Sequence, residues 1–171
     1  MMKKIIFVIM IGCILLCGCE KEKKSSTKVI SNGKVVDTTK MEHKHCTREA
    51  SITDGDVSLN YDIFYTGDIL NILKSEEKII SASEEVLDTY EKAYRDIFQH
   101  YDGFEYYDTS VTRGDTTVVS SITINYDKID IDKLIALEGE EDSVFQNKKP
   151  LVSKWLEFAK KFGTKCELVE D

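Results

Sequence analysis

The sequence predicts an α+β domain with helices packed on a mostly antiparallel sheet, in the order βββ-α-ββ-α-α-β. Three observations carry this. The apolar period is two along residues 57–65, changes to a helical period over 84–101, and returns to two over 116–126. Turn chemistry separates the short runs: Asp54-Gly55-Asp56, Thr66-Gly67-Asp68 and Gly114-Asp115. A hydrophobic content of 42% is enough for one core in a chain of 171 residues.

The elements follow in order. Strands are expected near 46–53, 57–65 and 68–80 as an antiparallel meander, with Val57, Leu59, Tyr61, Ile63 and Tyr65 on one face. Ser81-Ala82-Ser83-Glu84 offers N-cap and capping-box residues to a helix. That helix carries Val86, Leu87, Tyr90, Tyr94, Ile97, Phe98 and Tyr101 on its apolar face, and Asp102-Gly103 ends it. Asp88–Lys92 and Glu91–Arg95 have the spacing of i,i+4 ion pairs. Two strands over 104–113 and 116–126 come next, then a short helix over 130–137. Pro150 is expected to open a last helix bearing Leu151, Val152, Trp155, Leu156, Ala159 and Phe162, which Gly163 closes. Residues 164–169 read as a final strand.

Ahead of this body, residues 1–18 read as an export leader. Lys3 and Lys4 precede an apolar run from Ile5 to Leu16, which is shorter than the about 20 residues a membrane-spanning helix needs. The run ends in Leu16-Cys17-Gly18-Cys19, which resembles the lipobox of bacterial lipoproteins. A small residue stands beside the cut, and the thiol of the next residue takes the lipid. Cys19 is the expected lipidation (palmitate-bearing) site, because Cys17 would have Leu16 at its cut and Cys13 would leave a very short apolar run. Residues 19–41 are then the lipidated N-terminus and a flexible basic tether, and 42–171 the α+β domain. Within the tether, Asn32-Gly33 between short β-branched runs signals a hairpin over 28–36, which either joins the sheet or stays loose.

Charge is divided along the chain. Residues 20–45 hold seven lysines against four acids, whereas 46–171 hold 14 basic against 27 acidic residues. So acidic a body repels phosphate backbones, which excludes nucleic acid as a partner. The basic stretch suits anionic lipid headgroups. Cys46 and Cys166 bracket the body, lack zinc-ribbon spacing and, in an exported chain, are expected to form a disulfide.

The body resembles the YehR-like family of bacterial lipoproteins, a domain of unknown function. The resemblance rests on Tyr65-Thr66-Gly67-Asp68 after an alternating strand, on the Glu84–Tyr101 helix with the aromatic Gly103–Tyr107 stretch after it, and on Asn125-Tyr126-Asp127-Lys128-Ile129-Asp130. It implies a small α+β lipoprotein body and supplies no catalytic residues. The cysteine pair sets the chain apart from Gram-negative members and, with a Lys- and Ile-rich, Pro-poor composition, points to a Gram-positive branch. The expected location is the extracytoplasmic face of the cell membrane.

Candidate sites are few. His43 and His45, in His43-Lys44-His45-Cys46, point the same way in an extended chain and are the candidates for Zn²⁺ or Cu; solvated histidines are the competing and favoured reading. Glu138-Gly139-Glu140-Glu141-Asp142 lacks EF-hand spacing and reads as a solvated acidic loop. Tyr101, Phe104, Tyr106 and Tyr107 could line a ligand groove, with core packing as the alternative. His100 beside Asp102 is the sole histidine beyond the His43–His45 stretch. No Gly-x-Ser-x-Gly, His-Glu-x-x-His or phosphate loop is present. The expectation is a non-enzymatic envelope lipoprotein without a cofactor, which binds an envelope protein or a small ligand; a metal-binding lipoprotein and an envelope-acting enzyme are the alternatives.

Overall fold

The computed structural model describes residues 29–139 and 144–170. The expected leader, the lipidation site Cys19 and Glu140 to Asp142 of the acidic run lie outside the described residues. The elements are β1 (Val29–Ser31), β2 (Lys34–Val36), β3 (Glu42–Ile52), β4 (Gly55–Thr66), β5 (Ile69–Ser81), α1 (Glu84–Phe98), β6 (Tyr107–Arg113), β7 (Thr117–Asn125), α2 (Ile131–Glu138), β8 (Phe145–Gln146), β9 (Lys149–Pro150), α3 (Val152–Lys161) and β10 (Lys165–Leu168). A short 3₁₀ turn, Gln99–Tyr101, extends α1.

Six strands form one sheet in the order β10-β3-β4-β5-β7-β6, antiparallel at every step. This is the expected α+β fold. Consecutive hairpins build the centre, and β10 returns to the free edge of β3. Cys166 is thereby placed directly opposite Cys46, and the two form a disulfide across a sequence separation of 120. A loop of that length constrains the unfolded chain by about 4–5 kcal/mol in the chain-entropy account.

Alternation decides the two faces of the sheet. Val57, Leu59, Ile63 and Tyr65 of β4 all point to the helix side and are buried. There they divide between two apolar clusters. Val57 and Leu59 meet Ile79, Val118 and the α1 residues Leu87, Tyr94 and Phe98. Ile63 and Tyr65 meet Leu70, Leu73, Leu134 of α2, Phe145 and Trp155 of α3. At the start of β4, opposite the end of β5, Gly55 lies so close to the neighbouring strand that a Cβ there would meet the Ile80 carbonyl oxygen at 2.5 Å.

The other face is mostly open. The β1–β2 hairpin is a separate two-stranded sheet lying on it: Val29 is buried against Phe64 and Ile72, with Val36 and Met41 alongside. The turn is fixed by the Asn32 amide donating to Asp108 Oδ2 at 2.8 Å. The expected flexible tether over 19–41 is corrected here from Val29 onward. The hairpin neither joins the large sheet nor stays loose, because its inner pair, Val29 and Val36, finds an apolar seat on Phe64 and Ile72.

Other differences have equally local causes. β6 begins at Tyr107 rather than near 104, because Gly103 (φ 81°) and Tyr106 (φ 67°) are left-handed and prevent an extended run. Pro150 pairs with Phe145 instead of opening α3, and the helix starts at Val152. Its N-terminus is capped from far away in the chain: Asp68 accepts from the Ser153 amide (2.8 Å) and the Ser153 hydroxyl (2.7 Å). On α1, Glu91–Arg95 forms as expected at 2.7 Å. Lys92 instead pairs with Asp96, leaving Asp88 to bind Arg113 of β6.

Candidate functional site

Three polar clusters stand out, one on the open face and two under the helices. On the open face, β3 presents His43 and His45 on the same side, as an extended strand must. The β3–β4 register sets Asp62 opposite His45. His43 Nε2 and His45 Nδ1 both lie 2.9 Å from Asp62 Oδ1. An ionised carboxylate can only accept, so each ring carries its proton on the facing nitrogen. Burial alone would raise the Asp62 carboxyl, but the two histidine hydrogen bonds outweigh it and hold it below its ordinary 3.8. His43 also stacks on Phe64, with ring centres 4.3 Å apart. The pair is therefore engaged rather than simply solvated. Among the described residues no group of three or more His, Cys, Asp and Glu is arranged to hold a metal ion. Asp62 is the partner that sequence spacing alone did not reveal; the strand register was the missing signal.

The second cluster sits under α1. Glu77 of β5 faces the helix side between apolar neighbours, and burial pushes its carboxyl above the usual range against the opposing pull of Tyr94 and Arg48. The Tyr94 hydroxyl is buried beside this acid. Tyr61 is pushed upward by burial and then by the charge of Glu77, and Tyr90 likewise. Tyr61 also meets Trp155 of α3 edge to face at 5.1 Å, so it links the two apolar clusters. Glu77, Tyr61, Tyr90 and Arg48 are half-buried, which leaves this seam open to solvent at its rim.

The third cluster contains the aromatic residues for which the sequence leaves groove and core both open. Tyr101 is buried and stacks on Tyr107 with centres 4.1 Å apart. Phe104 leans on both of these rings, with Lys133 over its outer face at 4.2 Å. Tyr106 contributes its carbonyl to the Asn125 amide. A strand from 104 onward would set Phe104 and Tyr107 on opposite faces; with no strand before Tyr107, they come together. The Tyr101 hydroxyl donates to Glu138 Oε1 at 2.9 Å, and burial raises the Glu138 carboxyl despite that bond. Glu138, the first acid of the run, is thus a half-buried acceptor and not a fully solvated one. His100, by contrast, is exposed and turned to its own helix: its Nδ1 lies 2.9 Å from the Asp96 carbonyl oxygen.

The geometry also accounts for the motifs that carried the family resemblance. Asp68 of the Thr66-Gly67-Asp68 turn caps α3, and Asn125 folds the following turn by accepting the Asp127 amide. Asn71 at the β5 irregularity donates to Asp127 at 2.8 Å. These are architectural roles.

The fold matches a known one. The solution NMR structure of the YehR protein of Escherichia coli, a structural-genomics target, superimposes with a TM-score of 0.54 at 22% identity, over 77% of this chain and 94% of that chain. The likeness is one of fold. A protein from Streptococcus pneumoniae TIGR4, also solved by NMR, matches with a TM-score of 0.48 at 16% identity, over 91% of this chain and 100% of that chain. No family model matches the chain, and no curated protein does. Nothing in these matches assigns a chemistry to the three clusters. Among the described residues no helix is long and apolar enough to cross a membrane.

Proposed function

We propose that this chain is a secreted lipoprotein, acylated on Cys19 and held at the outer face of the cell membrane, whose body is a non-enzymatic interaction module. The observation that carries the reading is Leu16-Cys17-Gly18-Cys19 at the end of a short apolar run behind Lys3 and Lys4. The Cys46–Cys166 disulfide supports it, because such bonds persist in oxidising compartments and are rare in the cytosol. The YehR-like fold is in keeping with it. The partner is an envelope protein or a small ligand. The surface best suited to it is the helix-side seam at Tyr61, Glu77 and Tyr90, where aromatic area and a polar group meet at a solvent-reached edge.

Labelling cells with a radioactive fatty acid, together with membrane fractionation, tests the anchor. The natural chain should take up label and sediment with membranes. Cys19→Ser should lose the label and either be released or remain as the unprocessed precursor. Label that persists in Cys19→Ser moves the acceptor to Cys13 or Cys17. An unlabelled natural chain overturns the lipoprotein reading altogether.

A further inference from the structure

We propose that the outer face of the β1–β2 hairpin is a membrane-contact surface, with Ile30 and Val35 resting on an anionic bilayer. The sheet's open face then turns toward the lipid, and the helices turn away from it. This orientation rests on the reading of Cys19 as the lipid anchor.

The hairpin needs only one apolar face to dock on the sheet, and it has two. Register pairs Val29 with Val36 on the inner side and Ile30 with Val35 on the outer side. Val29 is 1% exposed, whereas Ile30 and Val35 are 50% and 63% exposed. Single exposed apolar side chains are ordinary on a protein surface. Here two stand directly opposite one another on adjacent strands and form one contiguous apolar spot.

Position in the chain selects the bilayer as its occupant. Nine residues lie between Cys19 and Val29, so the ten Cα steps make a leash of at most about 35 Å when fully extended. An acyl chain in the bilayer therefore keeps this hairpin close to the headgroups whatever the rest of the body does. Charge sorts the rest. Residues 20–45, which include exposed Lys34 and Lys40, carry a basic surplus, and 46–171 carry 14 basic against 27 acidic residues. An anionic surface attracts the first segment and repels the second, within about a Debye length. The hairpin is also held rigidly enough to orient the body. Val29 is seated on Phe64 and Ile72, and the turn is pinned by the Asn32–Asp108 bond. The helix-side seam at Glu77 is consequently left facing away from the membrane, accessible to an envelope partner.

The test uses the full, processed, acylated protein in phosphatidylglycerol–phosphatidylcholine vesicles. Ile30→Cys and Val35→Cys are each labelled with an environment-sensitive fluorophore, with Leu137→Cys on α2 as the reference position. Acylation of Cys19 and the Cys46–Cys166 disulfide leave the introduced thiol free for labelling. Positions 30 and 35 should be quenched several-fold less by aqueous iodide than position 137, and more by a nitroxide-bearing lipid. The protection should weaken in vesicles of phosphatidylcholine alone. Equal iodide quenching at 30, 35 and 137 in protein that floats with the vesicles overturns the contact surface and leaves the anchor intact. Protein that fails to float overturns the anchor, and the orientation with it.

Discussion

The two faces of this sheet treat a carboxylate in opposite ways. Under the helices, Glu77 and Glu138 sit among tyrosines, and loss of water pushes both carboxyls upward. On the open face, Asp62 also loses water, yet two histidine donors on the neighbouring strand hold it low. The strands are the same; what differs is the cover. α1, α2 and α3 close one side with apolar and phenolic side chains, which offer an acid little compensation. The other side has a small hairpin at one end and mostly polar strand residues elsewhere, so a charge there keeps partners. The difference teaches where each face derives its stability: apolar packing on one, a polar network with a small apolar seat on the other.

Removing a large side chain from the closed face should have the largest effect. Trp155 is buried and stacks edge-on against Tyr61. Trp155→Ala is expected to cost about 3–5 kcal/mol in urea unfolding followed by circular dichroism. A loss below 1 kcal/mol would mean that α3 contributes little and that the contrast between the faces is misdrawn. Loss of the long-range cap should be smaller. Asp68→Ala removes both hydrogen bonds to Ser153 at the α3 N-terminus and is expected to cost about 1 kcal/mol. Asp68→Asn, which keeps an acceptor, should recover part of it.

Much of this arrangement was legible in the sequence, and the reason is local. The alternation from Val57 to Tyr65 and the helical stripe from Leu87 to Phe98 each fix which side chains are buried without reference to any other segment. The disulfide was legible because two body cysteines behind a leader-like apolar run are expected to pair. What was not legible depended on pairing between distant residues. Asp62 becomes the partner of His43 and His45 only through the β3–β4 register. Asp68 becomes the cap of α3 only because β9 and Leu151 carry the chain back to the start of β5. The hairpin's seat needed Phe64 and Ile72, paired across β4 and β5, to turn together onto the face that the helices do not cover. The Glu77 seam went unseen for a similar reason. An acid between Glu76 and Lys78 reads as solvated until the pairing with Leu59 and Ser120 turns it toward the helices.

The pH dependence gives the finest comparison, because the two faces should differ in sign. Asp62 is held below 3.8, so its network adds stability above that value, which is lost as pH falls through the lower folded value. Asp62→Asn should therefore lower the melting temperature near neutral pH, and the deficit should shrink in strong acid. Glu138 is raised above its ordinary 4.5, so the folded state binds its proton more tightly than the unfolded state does. Its contribution is neutral below 4.5 and becomes destabilising as pH rises through the folded value. Glu138→Gln keeps an oxygen to accept from Tyr101 and removes that penalty. The variant should melt higher than the natural chain near neutral pH, and the gain should vanish in acid. Melting curves for the two variants across the acid range test the contrast. Should Glu138→Gln melt lower at neutral pH, the Tyr101–Glu138 pair depends on its charge, and the helix side compensates a buried acid as well as the open face does.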